Sequence, residues 1–254
     1  MLLVADVHGA VDGLGRVAAK AKASREPLLI LGDLINFIDY RDLSGIVADV
    51  CGEAFVADMV ALRTAGEMAA AGRLWKNFSE GREESIREEY GVRIEAEYVQ
   101  IGMALDGAEV YVIHGNVDQP DRLVRNMPDS VRYVESGVVE IEGLRVGLVS
   151  GGLPSLGTPG EVSHDEMALR LADLGPVDVL CTHVPPAVRV LAGDVIGGRK
   201  EGSQPILDYL AAHRPEFHYF GDIHQPQATN WRVGATACRN VGYFRATGRA
   251  VRHR

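Results

Sequence analysis

No apolar run in this 254-residue chain approaches the ~18 residues that a membrane-spanning helix requires, so nothing in it argues for a membrane role. Aromatic residues are scarce at 6%, and basic residues are outnumbered by acidic ones, 26 to 35, giving a formal net charge of −9. That balance argues against an extended nucleic-acid surface, while leaving room for a few local cations around a single phosphate. Cysteine is scarce too. Cys51, Cys181 and Cys238 are an odd number without CxxC spacing, and the sequence opens on a strand with no basic and apolar leader, which together point to a reducing cytoplasm. There is no internal repeat and no low-complexity tract. What is present is an apolar fraction of 46%, ample for one large domain with a substantial core, so a single domain over residues 1–254 is expected, carrying an insertion.

The chain is organised around short apolar runs that end in polar residues. Leu28-Leu29-Ile30-Leu31, introduced by Pro27, is too short for a helix and reads as a buried strand that delivers Gly32-Asp33. Open α/β sheets place their ligands at such carboxyl ends, so Asp33 is a candidate for holding metal, although an Asp after a strand also serves as a helix cap or turn residue. Leu2-Leu3-Val4-Ala5 ends in Asp6-Val7-His8, and alternation along an extended chain would put Asp6 and His8 on one side. Glu109–Ile113 runs into His114-Gly115-Asn116-Val117-Asp118-Gln119-Pro120, where Asn116 can offer a neutral oxygen and Asp118 fits the N-cap of a helix with Pro120 in its first turn. Val177–Cys181 is stopped by Pro185-Pro186 and leaves His183 at the rim, and Phe217–Phe220 delivers Gly221-Asp222-Ile223-His224. Further strands are expected near 138–142 and 144–149 and within 228–244, and helices near 11–23, 163–174 and 204–213.

About 70 residues separate Asn36 from the strand at 109–113, far more than the ~2–6 residues of an ordinary connection. An insertion over about 41–107, built of two to four helices, is therefore expected; Ile94, Tyr98, Ile101 and Leu105 form a helical stripe, and Phe55, Met59 and Leu62 begin another. Residues 79–97 carry seven acids and three arginines, which reads as a solvated helix face. A lid or a homo-oligomer contact is the functional role open to this arm, with Trp75 and Phe78 as anchors or as plain core.

Asp6-Val7-His8, Gly32-Asp33, Gly115-Asn116, His183 and Gly221-Asp222-Ile223-His224 resemble the five ordered blocks of the calcineurin-like metallophosphoesterases, and the tail from Thr182 to His224 is similar to a subgroup with bacterial members and animal-brain relatives. The resemblance implies an α/β fold, a four-layer α/β/β/α sandwich with two central mixed β-sheets. It implies two divalent ions, Mn, Fe or Zn, with Asp33 shared, Asp6, His8 and His224 completing one site, and Asn116, His183 and Asp222 the other. The implied activity is hydrolysis of a small phosphate ester by a metal-bridging hydroxide. A phosphodiester, such as a nucleotide or cyclic nucleotide, is preferred. The alternatives are a phosphomonoesterase and a non-catalytic metal- or nucleotide-binding scaffold of the same fold.

Two departures from the family pattern matter. The third block usually reads Gly-Asn-His, whereas here Val117 follows Asn116, and valine can neither donate a proton nor hold a phosphate. His114 is the candidate replacement acid, Asn116 a candidate substrate contact as well as a ligand, and Arg199, beside Lys200, a candidate phosphate clamp. The second departure is Asp222, where the family usually has a histidine; a ligating carboxylate there makes the site harder.

Overall fold

The computed structural model describes residues 1–155, 157–195 and 202–253, with the backbone of 198–199. In chain order the elements are β1 (Leu2–Val4), α1 (Val11–Ser24), β2 (Leu28–Leu31), α2 (Ile46–Cys51), α3 (Glu53–Thr64), α4 (Met68–Ser79), α5 (Glu83–Leu105), β3 (Val110–Ile113), α6 (Pro120–Asn126) and β4 (Val131–Tyr133). There follow β5 (Ser136–Ile141), β6 (Leu144–Val149), α7 (His164–Ala172), β7 (Val179–Thr182), α8 (Arg189–Ala192), β8 (Gly193–Asp194), β9 (Gly198–Arg199) and α9 (Gln204–His213). The chain closes with β10 (Phe217–Phe220), β11 (Asn230–Val233), β12 (Thr236–Asn240), α10 (Phe244–Thr247) and β13 (Val251–Arg252).

Two mixed sheets result, one ordered β13-β1-β2-β3-β4 and the other β11-β12-β10-β7-β6-β5. The strand period of two sorts side chains between faces. In β2, Leu28 and Ile30 face α1 and α5, while Leu29 and Leu31 face the second sheet. In β7, Val179 and Cys181 join that central layer, and Leu180 joins Met167 of α7 and Ile206 of α9 on the far side. Three apolar layers between four layers of structure make an α/β/β/α sandwich.

The parallel registers of β1, β2 and β3, and of β6, β7 and β10, align the carboxyl ends of the central strands at one end of the sandwich. Four helices, α2 to α5, occupy the stretch between β2 and β3. Ile94, Tyr98, Ile101 and Leu105 of α5 are buried in the helix-side core of the first sheet, and Val47, Phe55, Val56, Met59 and Ala71 form a separate small core. Trp75 and Phe78 lie in a ring cluster with Phe55, at centroid distances of 6.0 and 4.4 Å.

Two sequence expectations need correction. The N-cap of α6 is Gln119, without a side-chain cap bond, not Asp118; the Asp118 carboxylate turns into the protein, where several backbone N–H groups compete for it. Nor is the chain extended through Asp6 and His8: β1 ends at Val4, and both residues have positive φ, 56° and 42°. A turn, rather than strand alternation, gathers their side chains.

Candidate metal centre

Four of the residues read as ligands sit in the left-handed region: Asp6, His8, Asp33 at φ 55° and Asp222 at φ 64°. For a residue with a Cβ this costs roughly 1–2 kcal/mol, and such strain persists where surrounding bonds over-determine it. Those bonds are present. Asp6 N–H donates to Gly32 O at 3.1 Å, His8 N–H to Asp33 O at 2.9 Å, Gly9 N–H to Leu34 O at 2.8 Å, and Gly221 N–H to His183 O at 2.8 Å. Asp222 N–H reaches across to Asp6 Oδ1 at 3.0 Å. The strand-end loops are thus laced to one another, and they approach so closely that a Cβ on Gly115 would strike the Asp33 carboxylate and the His183 ring.

The lacing brings one ligand atom each from Asp6, His8, Asp33 and His224 within 4.8 Å of one another. His8 Nε2 lies 3.2 Å from His224 Nε2 and 3.5 Å from Asp33 Oδ2. The other carboxylate oxygen, Asp33 Oδ1, lies 3.4 Å from His183 Nε2, which in turn is 3.2 Å from Asn116 Oδ1. Asp33 therefore presents one oxygen to each of two groups of donors. His183 is fully buried rather than at a rim, and its Nδ1 lies 2.8 Å from Leu31 O. A proton on Nδ1 donated to that carbonyl leaves the Nε2 lone pair facing Asp33 and Asn116.

The buried donors perturb one another's charge. Burial, with Asp33 and Asp222 nearby, pushes the Asp6 carboxyl up to about 8. Burial alone would lower His183, but Asp33, Asp6 and Asp222 outweigh it and raise it to about 9. Asp6 Oδ2 is buried with no hydrogen-bond partner among the described residues. An orphaned carboxylate oxygen beside converging imidazole and carboxylate donors fits divalent cations with mixed N/O ligands. The cluster around Asp33 thus fits a divalent cation.

The remaining candidates fall elsewhere. His114 is buried, its Nδ1 lies 2.9 Å from Tyr133 Oη, and burial lowers its pKa to about 3. The Val117 side chain belongs to the core, and its N–H donates to Asp33 Oδ1 at 3.1 Å. The Arg199 side chain and Lys200 lie outside the described residues.

Two groups of supporting residues are not apparent from sequence. Asp118 accepts hydrogen bonds from the N–H groups of Asp33, Leu34 and Gly115, and from Tyr98 Oη of α5. A tyrosine in an apolar helical stripe is the available signal, since a buried phenol must place its hydroxyl. The second group comes from the far end of the chain. The Tyr243 ring stacks on His224 at 4.0 Å and 11°, and meets His8 edge-on at 5.6 Å. Its hydroxyl donates to Asp39 Oδ2 at 3.1 Å, and Arg245 pairs with Asp39 at 3.0 Å while donating to His8 O at 2.6 Å.

The sequence pattern of the calcineurin-like phosphoesterases matches residues 1–226, and the chain belongs to that family. The family generally binds two divalent metals, and the cluster of Asp6, His8, Asp33 and His224 could hold one such ion. One crystal structure is similar over 96% of this chain and 90% of its own, at 17% identity and a TM-score of 0.59. Protein TT1561 of Thermus thermophilus is similar over 96% and 89%, at 12% identity and a TM-score of 0.54. Both bear on the fold alone. An archaeal phosphodiesterase aligns over 97% and 85% at 11% identity, but with a TM-score of 0.39 it carries no argument. No curated protein matches in sequence. Among the described residues, no helix is long and apolar enough to cross a membrane.

Proposed function

We propose that this chain is a dinuclear-metal-dependent phosphoesterase that hydrolyses a small phosphodiester. The observation that carries the reading is the split of Asp33, with Oδ2 3.5 Å from His8 and Oδ1 3.4 Å from His183, the disposition of a carboxylate shared by two cations. Asp6, His8 and His224 would hold one ion with Asp33; Asn116, His183 and Asp222 would hold the other. When bound, such a pair neutralises phosphate oxygens and lowers the pKa of a water to the range where it attacks at neutral pH.

The chain's own residues orient and restrain. His183, fixed by Leu31 O, can rotate little, and Tyr243 holds the His224 ring in one plane. Asn116 contributes a neutral oxygen, which keeps the second group of donors less anionic than a third carboxylate at that position would. Val117 puts an apolar core side chain at the position of the family histidine, where it cannot give a proton to the departing oxygen, and this favours esters whose leaving groups depart without one. Diesters of acidic alcohols meet that condition. Three free thiols, Cys51, Cys181 and Cys238, support a reducing compartment, the cytoplasm. The single domain over 1–254, with its helical arm as insertion, is part of the same reading.

The test is a panel of chromogenic mono- and diesters with protein stripped by chelator and reloaded with Mn, Fe or Zn. Turnover of bis(p-nitrophenyl) phosphate above that of p-nitrophenyl phosphate, dependent on added metal, is expected. Metal binding without turnover of either ester would mean a binding module of this fold.

A further inference from the structure

Arg41 lies on the loop between β2 and α2, exposed, with its guanidinium carbon 4.9 Å from the centroid of the Tyr243 ring. That ring is the one stacked in parallel on His224 at 4.0 Å. A face covered by an imidazole at that distance has no room for a guanidinium, so Arg41 covers the other face. The loop fixes it there: Arg41 N–H donates to Asp39 Oδ1 at 2.8 Å, and the other oxygen of Asp39 accepts from Tyr243 Oη.

The two arginines near this ring differ in what occupies them. Arg245 is engaged by His8 O, Asp39, Asp42 and Ser44. Among the described residues, the Arg41 guanidinium makes no hydrogen bond or ion pair; stacking holds it and leaves its donors facing solvent. A planar fork in that state matches the geometry of a phosphate or carboxylate. Because the Tyr243 ring stands between it and His224, the fork lies too far out for the phosphorus under attack.

We propose that Arg41 is a specificity-determining residue that holds a second anionic group of the substrate, a phosphate or carboxylate carried on the Tyr243 side of the scissile phosphorus. The proposal rests on the phosphoesterase reading and narrows it to esters that carry a further negative charge. Tyr243 then has two roles, one toward the ligand histidines and one as the platform for the fork. Tyr243 itself lies beyond the segment that matches the family, which ends at residue 226.

The experiment compares the p-nitrophenyl ester of thymidine 5′-phosphate with the same ester bearing a 3′-phosphate, so that the leaving group is constant and only the second charge differs. The manganese-loaded parent should prefer the 3′-phosphorylated ester in kcat/KM by roughly 10–100-fold, the factor supplied by one charge-assisted hydrogen-bonded pair. Arg41→Ala should bring the ratio to about one, and Arg41→Lys should fall between, since an ammonium keeps the charge and loses the fork. A parent without preference, or an Arg41→Ala variant that keeps it, would overturn the proposal. If the parent turns over neither ester, the phosphoesterase reading fails by itself. The same ratio, read as dissociation constants by calorimetry, then decides whether Arg41 holds the second anion.

Discussion

Asp118 accepts a hydrogen bond from the backbone N–H of Asp33 at 2.8 Å, across 85 residues of sequence. Through that bond a fully buried carboxylate, which is not itself among the clustered donors, fixes the peptide that presents the shared candidate ligand. Its other partners are Leu34 N–H at 3.0 Å, Gly115 N–H at 2.9 Å and Tyr98 Oη at 3.1 Å. Two ligand loops and the longest helix of the insertion therefore meet on one side chain.

Removing that junction should cost both stability and metal. In Asp118→Asn, an amide NH₂ replaces one of the two acceptor oxygens, leaving a buried backbone N–H without its partner at about 1–3 kcal/mol. For a domain of this size the melting temperature should fall by roughly 2–4 °C per kcal/mol. Manganese affinity, measured by calorimetry, should weaken as well. Tyr98→Phe should produce a loss of the same kind, because it removes a donor to Asp118 and the acceptor of Gln119 N–H, at 3.1 and 2.8 Å. Unchanged affinity in both variants would separate Asp118 from the metal centre.

The metal-free protein should lose stability as pH rises from about 6.5 to 9. Asp6 is raised to about 8 and His183 to about 9, so over this window the folded state binds more protons than the unfolded chain. Stability then falls with increasing pH. Metal loading replaces those protons with cation charge and should flatten the curve. Thermal melts with chelator and with manganese, run side by side across the window, give the comparison. The proton release on metal binding at pH 7 can be read from calorimetry in buffers of different ionisation enthalpy.

With valine at 117 and His114 buried against Tyr133, rates across diesters should depend steeply on leaving-group acidity. General-acid help is worth about 10²–10⁴-fold where it exists, so nitrophenyl esters should outrun alkyl esters by at least that range. His114→Ala should leave the slope unaltered, whatever it does to stability. A parent slope that is shallow, and that steepens in His114→Ala, would make His114 the acid after all. Val117→His should be destabilising, because the Val117 side chain belongs to the core that holds Leu34, Ile35 and Tyr98.

The short apolar runs and their polar ends are legible in the sequence because burial on both faces leaves a strand no alternative composition; Leu28–Leu31 and Val179–Thr182 appear where runs of that kind predict them. The candidate donors Asp6, His8, Asp33, Asn116, His183, Asp222 and His224 are picked out in the sequence by the same runs, each following one. What is not legible is backbone sign. Nothing in Asp6-Val7-His8 announces positive φ, and the same letters suit an extended chain. Asp118 misleads because Asp-Gln-Pro satisfies the local rules of a capped helix, while its actual partners include a loop 85 residues away. Tyr243 is invisible because its meaning depends on His224 and Asp39, which only the folded chain brings to it.

The central claim, that Asp33 is shared by two cations, is tested most directly by counting metal. Elemental analysis of the parent after loading with manganese and desalting should give about two ions per chain, as a dinuclear site requires. Asp33→Ala should lose occupancy at both positions together, with loss of bis(p-nitrophenyl) phosphate hydrolysis. An Asp33→Ala variant that keeps one tightly bound ion and the parent's activity would contradict the account.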